Sequence, residues 1–99
     1  MTSATQRDYK KISKTYYEVI RVVENYIEIK SRCTKHCWII YRPYDIANNK
    51  PIIIYHKHHP SIPYYHRHGY AYTYTITQAL RNIESHDRYV LSGFAKYNK

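Results

Sequence analysis

Two His-x-His pairs, His56-Lys57-His58 and His66-Arg67-His68, begin ten residues apart in a chain of 99. In an extended segment alternate side chains share a face. Each pair therefore offers two imidazoles to one metal ion, and a hairpin would bring the four together. Against a metal stand the cations Lys57 and Arg67 inside the pairs, and the lack of a nearby carboxylate to orient the rings. Solvated or nucleic-acid-facing histidines are the simpler reading. The expectation is no metal and no cofactor, with His56, His58, His66 and His68 as the alternative ligand set. Cys33 and Cys37 are four apart, beside His36, without a fourth ligand for zinc. A disulfide across a turn before Trp38 and a pair of buried free thiols both fit that spacing.

Other chemistry is limited by what is missing. The acids are Asp8, Glu18, Glu24, Glu28, Asp45, Glu84 and Asp87, so the middle of the chain supplies no paired-carboxylate or two-metal site. The two glycines, Gly69 and Gly93, make no phosphate-binding loop. His86-Asp87 has no serine or cysteine motif to accompany it. A non-enzymatic protein is expected.

Charge points to partners. Residues 29–83 hold eight Lys and Arg, one acid and six of the seven histidines, so +7 of the net +9 lies there. Phosphate backbones are common partners of such a one-sided positive segment. The expected nucleic-acid contacts are Arg42, Lys50, Lys57, His58, Arg67, Tyr70 and Tyr72, with double-stranded DNA first. In "GYAYTYT" (69–75) Tyr70, Tyr72 and Tyr74 share one face. They make either a stacking platform for bases or a ladder that builds the core. For residues 52–75 as a whole, the expectation is tyrosines mainly in the core, with histidines and basic residues facing outward.

The elements that must position these residues read as an α+β domain spanning 1–99. It consists of an N-terminal amphipathic helix, a small antiparallel sheet of three to four strands and a C-terminal helix. Residues 8–30 carry Ile12, Tyr16, Val19, Ile20, Val23 and Ile27 at helical spacing. A hairpin through Glu24-Asn25 is the alternative, and "YIEIKSR" (26–32) alternates like a strand. "CWIIYRPY" (37–44) and "PIIIYHKH" (51–58) read as strands joined by the turn "DIANNK" (45–50), and 69–75 as a third. "TITQ" (75–78) is a capping box, Thr75 with Gln78, ahead of a helix. Its buried stripe is Ile76, Ala79, Leu80 and Ile83, and it should stop near His86. There is no apolar run long enough to span a membrane and no signal-peptide pattern, so an intracellular protein is expected.

Heavy use of Ile, Tyr and Lys with two glutamines suggests a hyperthermophile. Together with "YRPYDIANNKPIIIYHKHH" and "YTYTITQALRNIESHDRY", this usage resembles the small proteins of crenarchaeal filamentous and rod-shaped viruses, the lipothrixviruses and rudiviruses, such as those of Acidianus filamentous viruses. The resemblance implies a double-stranded DNA virus of an acid-loving hyperthermophile, and a place in the host cytoplasm or the virion. It brings no catalytic residues. It admits a protein-only role as well, by binding a host protein or by pairing into a homodimer through an exposed strand. The His-x-His pairs also resemble the metal motif of rolling-circle nucleases. They depart from it at Lys57 and Arg67, where that motif has a hydrophobe.

Overall fold

A computed structural model describes residues 4–42, 52–68 and 73–94. The chain runs α1 (Ala4–Lys10), β1 (Tyr17–Val22), β2 (Tyr26–Ser31), β3 (Cys37–Tyr41), β4 (Ile53–Lys57), β5 (His66–Arg67) and α2 (Ile76–Tyr89), with a π-helical turn at Val90–Phe94. The five strands form one antiparallel meander in chain order, where three to four were expected. The α+β class agrees with the sequence.

The N-terminal helix is present but ends at Lys10, so the helix expected over 8–30 is corrected. Lys14 caps its end by donating to the carbonyls of Tyr9 and Ile12. Beyond it, β-branched and aromatic residues favour extended backbone. Val23 N–H bonds Tyr26 C=O across the two-residue turn Glu24-Asn25. The helical spacing misleads here because the register between β1 and β2 shifts between Val19 and Arg21. This bulge leaves Ile20 exposed and breaks the period-two alternation on which a strand is recognised. The partner β2 alternates without a break, with Ile27, Ile29 and Ser31 buried.

The turn between β2 and β3 is closed by Ser31 N–H to His36 C=O and Lys35 N–H to Ser31 C=O. Lys35 sits in the left-handed region, φ 66°, a conformation that β-carbons disfavour by about 1–2 kcal/mol. Of the third expected strand, residues 69–72 lie outside the described ones. Thr73 makes a single bridge with Ile52, and the described partner of β4 on the side away from β3 is His66-Arg67.

Thr75 caps α2 in extended conformation and accepts from Gln78 N–H at 3.2 Å. The returning Gln78 carboxamide accepts from Tyr74 N–H at 2.8 Å, one residue earlier than a standard capping box. The helix continues past His86 to Tyr89. Its stripe Ile76, Ala79 and Ile83 packs with Ile27, Ile29, Trp38, Ile40 and Ile54 in one core, with Leu80 at its margin. Each fully buried isoleucine contributes about 2–3 kcal/mol of apolar transfer. Ile12, just after α1, joins the same core, and Thr5 of α1 bonds the carbonyls of Val23 and Glu24.

The sheet therefore has two unlike faces. The helix side carries Ile27, Ile29, Ser31, Trp38, Ile40, Ile54 and His56, all buried. The other side carries cross-strand rows set by the register: Lys30–Cys37–Lys57, Glu28–Ile39–Tyr55–Arg67 and Tyr26–Tyr41–Ile53. No described helix is long and apolar enough to cross a membrane.

Candidate functional site

Strand alternation decides where the His-x-His pairs point. In β4, His56 faces the helix side, Lys57 the open side, and His58 follows on the helix side at the exposed rim. The outward orientation expected for the histidines is thus corrected for His56 and His68. One is buried and the other half-buried, because their neighbours Lys57 and Arg67 take the open face.

Five imidazoles gather at this end of the core, three of them against Trp38. The Trp38 ring lies under His56 at 4.1 Å and 20°, and its neighbours His68 and His86 stand edge-on to it at 5.1 and 5.2 Å. His36 comes from the β2–β3 turn and His86 from the last turns of α2. His36 Nδ1 lies 2.8 Å from His56 Nε2, a hydrogen bond in which one neutral ring donates and the other accepts. His58 stacks on His36 at 5.0 Å and 14°. His66, on the edge strand, is exposed and makes no ring contact with the group among the described residues.

Burial sets the charge state. Desolvation, reinforced by repulsion from His86, His36, His58 and His68, pushes His56 down to about 3. Desolvation, then His68 and His36, pushes His86 down to about 4, with Asp87 opposing. Burial also lowers His36 and His68, a hydrogen bond with Asn82 opposing for the latter. Near neutral pH these rings are uncharged, each with one lone pair and one N–H.

The cluster is braced by Asp87, a fully buried carboxylate on α2. It accepts from Ser31 Oγ at 2.7 Å, Thr34 Oγ1 at 3.1 Å and Tyr16 Oη at 3.2 Å. Thr34 Oγ1 also accepts from the backbone N–H of His36, so the carboxylate helps to fix the turn that carries that ring.

The open face is the second feature. Tyr26, Tyr41 and Tyr55 are half-buried there, and Tyr41 and Tyr55 are neighbours at 6.3 Å between ring centroids. Tyr65 extends the face, donating from its hydroxyl to Glu28, with Lys57 Nζ 4.6 Å above its ring. Lys30 pairs with Glu18 at 3.2 Å. Between residues 29 and 83 the described positions hold Lys30, Arg32, Lys35, Arg42, Lys57, Arg67 and Arg81, and no acid.

Of the contacts expected from sequence, Lys57, His58 and Arg67 are described at the surface of this end, Lys57 also bonding Pro60 C=O. Arg42 is instead an internal tie: its guanidinium grips Asp8 of α1 at 2.6 and 3.2 Å, both side chains largely buried. Lys50, Tyr70 and Tyr72 lie outside the described residues. Cys33 and Cys37 are both free thiols, the first exposed and the second buried, so of the two readings the disulfide is absent and burial holds for Cys37 alone. Their sulfurs have separate partners, the Tyr16 hydroxyl at 3.6 Å and the Lys35 carbonyl at 3.9 Å. Burial pushes the Cys37 thiol up.

Sequence reasoning missed His36 and His86 as members of the cluster. His36 stands two residues before Trp38, on the same strand face. His86 stands three after Ile83, on the buried stripe of α2. No known protein family, no curated protein and no solved structure matches the chain.

Proposed function

We propose that the protein binds nucleic acid without catalysis, through the open face of its sheet. The observation that carries the reading is the composition of that face: Tyr26, Tyr41, Tyr55 and Tyr65 interleaved with Lys30, Lys57 and Arg67, with Glu28 bonded to Tyr65 and Glu18 paired to Lys30, opposite the side on which α2 packs. Aromatic rings beside cations stack unpaired bases while the cations hold the backbone.

Size argues for a single strand over the duplex expected from sequence. Five strands at about 4.8 Å spacing span about 19 Å. The major groove, about 12 Å wide, admits a narrower ribbon. The resemblance to proteins of double-stranded DNA viruses supplies a setting, an infected cell in which replication exposes single strands. A protein partner is the competing occupant, favoured by Ile39 and Ile53 in the middle of the face.

Fluorescence anisotropy with labelled single-stranded DNA, RNA and duplex at several salt concentrations tests the proposal. Salt-sensitive binding with the single strand preferred supports it. No binding to any of the three at low salt overturns it and directs attention to a host protein or a second copy of the chain.

A further inference from the structure

We infer that His36, His56 and His86 form a binding site for a divalent transition-metal ion, partly buried on the opposite side of the sheet from the proposed nucleic-acid face. One ligand nitrogen from each lies within 4.8 Å of the others. Three separate elements deliver them: the β2–β3 turn, β4 and α2. Around a tetrahedral ion with metal–nitrogen bonds of about 2.05 Å, ligand nitrogens stand about 3.3 Å apart. The 2.8 Å between His36 Nδ1 and His56 Nε2 opens slightly to reach that value, and the longest separation closes by about 1.5 Å.

Hydrogen bonding within the cluster is incomplete without an ion. His86 Nδ1 is buried with no partner among the described residues, an arrangement that usually costs about 1–3 kcal/mol. A hydrogen-bonded pair such as His36–His56 also uses one lone pair and leaves the other ring donating into it. Moving that proton to the donor ring's other nitrogen leaves both facing lone pairs free for a metal ion. The environment suits a dication: the buried carboxylate of Asp87 follows His86 in sequence and carries no cationic side chain among its hydrogen-bond partners. Ring orientations are fixed by Trp38, stacked on His56 and edge-on to His86. His36 is fixed through Thr34 and Asp87. Such outer contacts are what a preorganised metal site requires.

The donor set selects the ion. Neutral imidazoles suit zinc, nickel, copper or cobalt, and the absence of a carboxylate or carbonyl donor disfavours magnesium and calcium. Three histidines leave a fourth position open. His58, exposed at the rim, stacks on the His36 ring beside the trio.

The experiment uses the full chain without a histidine tag, stripped with chelator and titrated calorimetrically with Zn²⁺. Stoichiometric binding is expected. His36→Ala and His86→Ala should each weaken it by at least about a hundredfold, since even outer-shell changes cost about 10–100-fold. His66→Ala, an exposed histidine outside the trio, should leave it unchanged. Circular dichroism identifies any variant that fails to fold. Co²⁺ substitution on the unaltered chain needs no variant, and should give the visible absorption of a four- or five-coordinate site with nitrogen and oxygen ligands. Three results would overturn the inference: no stoichiometric binding, equal loss in His66→Ala, or a thiolate charge-transfer band reporting Cys33 or Cys37 as a ligand. None of these outcomes bears on nucleic-acid affinity, which is read on the other face.

Discussion

The hydroxyl of Ser31 donates to the carboxylate of Asp87 at 2.7 Å, and both side chains are wholly buried. The same hydroxyl accepts from Trp38 Nε1 at 3.1 Å. One serine thus joins the sheet, the helix and the tryptophan under the histidines. Ser31→Ala removes both bonds, leaving an indole N–H without its acceptor and the carboxylate short of a donor. Bonds to a charged group contribute about 1.5–3 kcal/mol, so a loss of about 3 kcal/mol is expected in urea unfolding. Asp87→Asn should cost at least as much. A change within about 0.5 kcal/mol for Ser31→Ala, the range of an ordinary surface substitution, would show that the network does not hold the helix.

The histidines give stability a direction with pH. His56 is held at about 3 and His86 at about 4, against 6.5 in the unfolded chain. Between those values the unfolded chain binds more protons than the native one, so stability rises with pH. The contribution is fully present above about pH 6.5 and is lost as pH falls toward 3. The groups facing His56 are His36, His58, His68 and His86, all opposing its charge, while Asp87 partly offsets the effect at His86 and His36. In metal-free protein the guanidinium midpoint should decline from pH 7 to pH 4. His56→Leu should flatten that decline. Equal slopes in the two proteins would assign the acid sensitivity to other groups.

Arg42 and Asp8 pin α1 to the end of β3 with two hydrogen bonds. Breaking a largely buried pair from one side strands the other charge, at a cost of about 3–5 kcal/mol. Arg42→Ala should therefore lower the melting temperature markedly. Arg42→Lys should recover part of the loss, since a lysine keeps the charge without the planar fork. Were Arg42 a phosphate contact, Arg42→Ala would instead leave stability intact and lower the salt dependence of binding.

The order of helices and central strands is legible in the sequence because its signals are local. Thr75 and Gln78 mark a helix start, and Ile76, Ala79 and Ile83 mark its face. "CWIIY" and "IIYHK" are β-branched or aromatic runs bounded by turn residues. The β1–β2 hairpin is legible only as the alternative through Glu24-Asn25, because one bulged residue at Ile20 converts strand spacing into something close to helical spacing. The histidine cluster is half legible. His56, His58 and His68 announce themselves as pairs. His36 and His86 join only through tertiary packing, one from the β2–β3 turn and the other at the expected end of α2. The internal role of Arg42 depends on Asp8, 34 residues earlier, and no local pattern reports it.

The open face predicts two separable effects on nucleic-acid binding. Tyr41 and Tyr55 are adjacent, and stacking contributes about 1–3 kcal/mol per base. Tyr41→Ala with Tyr55→Ala should therefore weaken single-strand binding by one to four powers of ten, with little change in its dependence on salt. Lys57→Glu with Arg67→Glu acts on the backbone. For single strands the slope of log affinity against log salt is about −0.7 per neutralised phosphate, so losing two contacts should flatten it by about 1.4. The two variants are distinguished by anisotropy across a salt series, with unchanged circular dichroism as the control. Identical losses at every salt concentration in both would place the strand elsewhere, and no loss in either would remove this face from consideration.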